Sequence, residues 1–216
     1  MRPLAYGMSP TLTRTLVRAT LAATIATSAC AAQTRPVVQQ TEPHHQHTAE
    51  LPASSGTGFT VADVRFMQNM IGHHAQAIRM TEMAAAHGAS PKLLELARKI
   101  DISQRDEIAM MEQWLVERRQ AVPGAAHAHA MMPGMLNADQ LAQLDAARGR
   151  EFDWLFLEFM IRHHQGALQM VEELFASPHA GQDSDIFRFA TDVDADQRDE
   201  IFVMEKLLVT IREESK

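Results

Sequence analysis

The fifteen residues from Phe66 to Met80, FMQNMIGHHAQAIRM, return ninety positions later as FLEFMIRHHQGALQM, from Phe156 to Met170. Phe, Met, Ile, the His pair, Ala and the closing Met keep their relative places. A second block follows each copy: Gln104-Arg105-Asp106-Glu107-Ile108 with Met111, then Gln197-Arg198-Asp199-Glu200-Ile201 with Met204. Its offset is 93, so three residues are inserted between the blocks of the second half. A duplication this long describes two supersecondary units, too few for a solenoid. Two halves this alike are expected to bury their apolar faces on each other.

Helical periodicity fills both halves, and strand signals are absent. Val64, Met67, Met70, Ile71, His74, Ala77, Ile78 and Thr81 mark a first helix from Val61 to about His87, with Gly88 as its stop and Ser90-Pro91 opening the second. The second helix runs to about Arg119, before Pro123-Gly124. Asn137 or Asp139 caps a third helix predicted to run unbroken to about Phe175, where Ser177-Pro178 ends it. Ser184 or Asp185 opens a fourth, reaching Ile211. The expected fold is all-α: an antiparallel four-helix bundle over residues 60–214, made of two duplicated αα-hairpins (60–121 and 138–214) joined by a linker at 122–137.

The segment before the bundle reads differently. Arg2, Arg14 and Arg18 precede the small and apolar run from Ala19 to Ala29, which is too short to span a bilayer and suits a signal segment at residues 1–29. The single Cys follows in Thr27-Ser28-Ala29-Cys30 and resembles a bacterial lipobox, which makes Cys30 a candidate for lipidation and a membrane anchor. Residues 30–59, rich in Pro, Gln, Thr and Ser and holding His44, His45 and His47, read as a flexible tether. These features predict an exported protein of the cell envelope. From Cys30 onward 17 Lys and Arg face 27 Asp and Glu, a net charge of −10, which argues against nucleic acid as a partner.

The shared polar residues sit on helical stripes. Met70, His73, Ala77 and Met80 share one, as do Met160, His163, Ala167 and Met170, while His74 and His164 turn by about 100° towards a neighbouring stripe. On the second helix of each half, Gln104, Glu107 and Met111 repeat as Gln197, Glu200 and Met204. Ionisable groups in an apolar seam must pair with each other or with a metal. Buried His–Glu or His–Gln hydrogen bonds would meet that demand alone. Thioether with imidazole favours Cu(I) and Ag(I), and carboxylate with imidazole favours iron, manganese or zinc. A di-iron bundle needs Glu-x-x-His, yet Met70 and Met160 stand three residues before His73 and His163. With one Cys, a Cys-based zinc or iron–sulfur site and an internal disulfide are excluded.

The twofold Phe-x-x-x-Met-Ile-x-His-His-x-x-Ala-x-x-Met and Gln-x-x-Glu-Ile-x-x-Met pattern, with Met132-Pro133-Gly134-Met135 and Phe152-Asp153, resembles the bacterial domain-of-unknown-function family 305 over about residues 59–211. The resemblance implies a ferritin-like four-helix bundle and, from some members, copper or silver binding and tolerance. On that footing the candidate metal ligands are Met70, His73, His74, Met80 and Met111 with Met160, His163, His164, Met170 and Met204. Gln104, Glu107, Gln197 and Glu200 are candidate partners that orient the His rings. Leu157 replaces the Met67 of the first half, one thioether fewer. The leading expectation is Cu(I) sequestration or tolerance at the envelope. The rivals are a redox-metal enzyme using His73, Glu107, His163 and Glu200, for which no substrate site is visible, and a metal-free envelope interaction module.

Overall fold

The computed structural model describes residues 58–124 and 132–213. Cys30, the signal segment, His44, His45 and His47 lie outside the described residues. Five helices follow in order: α1 Val61–Ala86, α2 Pro91–Glu117, α3 Ala138–Ala146, α4 Gly149–Ala176 and α5 Ser184–Glu213. Among the described residues there is no strand. No helix among them is long and apolar enough to cross a membrane.

Local chemistry sets most helix ends. Thr60 and Asp63 form a reciprocal capping box at the start of α1, and Ser90 caps α2 ahead of Pro91. Beyond the α1 cap residue His87, Gly88 takes φ +70°, a left-handed turn that glycine adopts without strain. Asn137 caps α3 in a second capping box with Gln140.

The third helix does not run unbroken. Ala147 and Arg148 are extended, and Gly149 at φ +55° restarts the chain as α4. The break has partners that periodicity cannot show. Gly149 N–H donates to the His87 carbonyl at 2.7 Å, and a His87 ring nitrogen lies 2.9 Å from the Asp145 carbonyl. The short α3 thereby folds over the α1–α2 turn and buries Leu141 and Leu144 in the core.

The long helices form two hairpins, α1 with α2 and α4 with α5, which meet chiefly where α1 packs on α4. The connection is four residues in the first hairpin and seven in the second, so the three-residue insertion lies in the α4–α5 loop. Two apolar clusters fill the ends of the bundle. One gathers Met80, Leu93, Ile100, Phe152, Phe156 and Met204, and the other Phe66, Met70, Met111, Leu115, Val171 and Phe189. The duplication carries the members of one into the other.

Two buried aspartates lock the halves reciprocally. Asp63 of α1 accepts from Gly181 N–H in the α4–α5 loop at 2.7 Å. Asp153 of α4, ninety positions on, accepts from Ser90 N–H in the α1–α2 loop at 3.1 and 3.2 Å. Each half thus fixes the other's turn.

Candidate metal centre

Between the two apolar clusters lies a layer of polar side chains. His73, His74, His163, His164, Gln104, Gln197 and Glu107 are all buried, and Glu200 is half-buried. The His73 and His163 rings meet across the duplication axis, with centroids 3.8 Å apart and planes inclined by 37°. His74 and His164 sit 6.4 and 6.2 Å from their neighbours in sequence.

The carboxylates serve the outer histidines. His74 Nε2 donates to Glu107, and His164 Nε2 donates to Glu200 at 2.7 Å. The alternative pairing of His73 and His163 with these glutamates is not formed. His73 Nε2 donates instead to the Pro133 carbonyl at 3.0 Å. A carbonyl only accepts, so the proton of the neutral ring sits on Nε2 and the Nδ1 lone pair is free. In His74 and His164 the carboxylate takes Nε2 and Nδ1 has no protein partner. All four Nδ1 atoms, and Nε2 of His163 as well, are buried without a protein hydrogen-bond partner. So are both amide atoms of Gln104 and of Gln197, which therefore orient none of the rings.

The methionine candidates do not converge on one point. Met80, Met160 and Met204 pack in one apolar cluster, and Met170, Met70 and Met111 in the other. Each group of three joins one methionine from one half to two from the other. Helical spacing identifies the stripe, but only the crossing of α1 on α4 decides which stripes meet. The histidine layer lies between, with thioethers on both sides.

A strap missed by sequence reasoning closes one side of this layer. Residues 122–137 read as a linker, yet Met132 and Leu136 are buried. Gln76 grips the strap twice: its amide oxygen accepts from Leu136 N–H at 2.7 Å, and its Nε2 donates to the Leu136 carbonyl at 2.9 Å. Gly134, at φ +75°, lies so close to α4 that a Cβ there would stand 2.5 Å from the Arg162 carbonyl. Gly166 receives the strap, and a Cβ on it would collide with the Pro133 carbonyl. The available signal was the pair of residues at one place in the repeat, Gln76 and Gly166, neither of which suits an ordinary core position.

Burial decides the charge of the central pair. The His73 pKa is pushed down to about 3 by loss of solvent, with His74 adding to the fall and the Pro133 carbonyl offsetting part of it. The same burial, followed by the proximity of His73, holds His163 well below the ordinary histidine range. Among the described residues, no three His, Cys, Asp or Glu side chains form a group able to hold a metal ion. A metal here must therefore draw on other donors. Neutral imidazole nitrogens and thioether sulfurs fit a soft monovalent cation, and rings already neutral at pH 7 release no proton on binding it.

The chain is similar to several solved structures. A fragment from Deinococcus radiodurans of the family named domain of unknown function, DUF305, is 32% identical, with 70% of this chain and 98% of that one covered and a TM-score of 0.61. A DUF305 protein from Streptomyces coelicolor is 25% identical, covering 69% and 93%, with a TM-score of 0.62. CopM in its Cu(I)-bound form is 30% identical, covering 68% and 96%, with a TM-score of 0.56; it is also known in Cu(II)-bound and Ag-bound forms. Among curated proteins, none matches the chain. The family's own pattern matches residues 63–208, and with the duplicated His-His helices in place the chain belongs to the domain of unknown function family DUF305.

Proposed function

We propose that this protein binds Cu(I) or Ag(I) within the bundle and serves copper sequestration or tolerance at the cell envelope. The observation that carries the reading is the histidine layer, in which four buried rings each keep Nδ1 unpartnered between two sets of buried methionines. Buried polar atoms that go unanswered are costly, at about 1–3 kcal/mol each. A metal-free packing role explains the His–Glu pairs but leaves these nitrogens without a purpose. Glu107 and Glu200 hold the His74 and His164 rings in place, as partners behind metal-bound imidazoles do. CopM, with Cu(I), Cu(II) and Ag forms, supports the choice of ion.

Competitive Cu(I) titration of the folded domain, beside Zn(II) and Fe(II), tests the reading. Replacing Met70, Met80, Met160 and Met170 by Leu roughly keeps volume and should preserve the fold, with helicity and melting measured in parallel. Affinity for Cu(I) should fall by more than ~100-fold, beyond what the loss of an orienting partner costs. The double variant Glu107→Gln, Glu200→Gln should lose only about tenfold. The reverse order would make these methionines core packing and move a carboxylate-based redox site ahead.

Export belongs to the same proposal, with Cys30 as the lipid-bearing first residue of the mature chain. The basic start and the short apolar run ending at Cys30 support it. Mass spectrometry of the membrane fraction should find a lipid-modified terminus at Cys30. An intact Met1 terminus in the cytosolic fraction would refute export.

A further inference from the structure

Duplication by itself would give the bundle two equivalent ends, and two features undo that equivalence. The first is Leu157, which packs in one apolar cluster where the other has Met67. The second is the strap, which occurs once in the chain and adds Met132 to the Met67 cluster alone. That cluster therefore holds five buried methionines, Met67, Met70, Met111, Met132 and Met170, with half-buried Met135 packed against it. The opposite cluster holds three, Met80, Met160 and Met204, with Met83 at its margin.

The strap is also the group that orients His73. Its Pro133 carbonyl accepts from Nε2 of His73 and not from His163. It is held rigidly enough to do so, by the two Gln76 hydrogen bonds and by the glycine-on-glycine contact of Gly134 with Gly166. Met132, next to Pro133 in sequence, is thus held in the Met67 cluster by the same strap that orients His73.

The geometry points to two unequal soft-cation positions in the bundle: a tighter one at the Met67 end, with Met132 of the strap as an additional thioether ligand, and a weaker one at the Met80 end. The inference rests on the soft-cation reading above and deepens it. A soft d10 ion is bound more tightly by each further neutral sulfur donor it can recruit, and a donor fixed before binding has less freedom to lose. The Met67 end offers more sulfurs, and the strap has immobilised one of them.

Titration of the full chain with Ag(I), and with Cu(I) under reducing conditions, tests this. The unmodified protein should show two phases of different affinity. Met132→Leu should weaken the tighter phase by about tenfold and leave the weaker one in place. The double variant Met80→Leu, Met204→Leu should do the opposite. Methyl-labelled methionine NMR gives a second readout that also reports folding: at the first equivalent of Ag(I), the Met132 and Met67 methyl signals should shift before those of Met80 and Met204. Two equal phases, or Met132→Leu acting on neither phase or on both alike, would overturn the inference. An unmodified protein showing no phase at all would instead remove the soft-cation reading, and this inference with it.

Discussion

Acidifying the metal-free domain from pH 7 to pH 4.5 should lower its stability by about 3 kcal/mol or more. In the fold His73 stays neutral down to about pH 3, and His163 is depressed by the same burial. In the unfolded chain both titrate at the ordinary histidine pKa, about 6.5. Below that value the unfolded state binds more protons than the folded one, so stability falls as pH falls. Their contribution is fully present above pH 6.5 and disappears as pH approaches the folded pKa. His73 alone costs about 1.4 kcal/mol per pH unit in this window, roughly 3 kcal/mol over two units, and His163 acts in the same direction. Urea unfolding midpoints at pH 7, 5.5 and 4.5 measure it, and a flat profile would show that the two rings take up protons within the fold. Saturating Cu(I) should restore the lost stability at the acid end, since a ligand bound only by the folded state adds to it by mass action.

Gly166→Ala should destabilise the domain by about 3 kcal/mol or more, although helix propensity taken alone predicts a gain of about 1 kcal/mol for the same change. The sign is the diagnostic. Gly166 lies within α4 and Ala is the better helix former, but the added methyl would occupy the place of the Pro133 carbonyl. Either the strap lifts, exposing buried Met132 and Leu136 and leaving His73 Nε2 without its acceptor, or α4 bends. Denaturant midpoints of the variant, beside a Gly→Ala change in a helix of a host peptide, separate the two forces. A more stable variant would mean that the strap is not seated as described.

Much of this architecture was legible in the residues. The 3.6-residue period of Met67, Met70, Ile71, His74 and Ile78 has a single reading, and Thr60, Ser90 and Asn137 carry their capping chemistry in their side chains. The break at Ala147 was not legible, because its cause is the His87 carbonyl sixty residues away. Gly149 within an apolar pattern reads as a tolerated helical glycine until that partner is known. The strap was hidden for a similar reason, since Met132-Pro133-Gly134-Met135 has the composition of a loop and is fixed only by Gln76 and Gly166. The candidate site was legible as residue types and stripes. The division of its methionines between two ends was not, because a stripe does not reveal which helix it faces. Phe152-Asp153 carries part of the family resemblance, but the reciprocal role of Asp63 and Asp153 was not legible, although their offset of ninety repeats that of the histidines.

Those two aspartates make each hairpin depend on the other. Asp63 completes the turn that begins α5, and Asp153 the turn that begins α2, so neither hairpin contains the groups its own loop needs. A chain of one hairpin would leave its loop amide unanswered, and an identical second chain would supply the acceptor. Such a requirement is self-complementary and is met by a closed, isologous pair with nothing left over. The two hairpins of the present polypeptide meet that requirement within one chain. The segment that joins the two hairpins lies outside the repeat and is free to make the two ends differ.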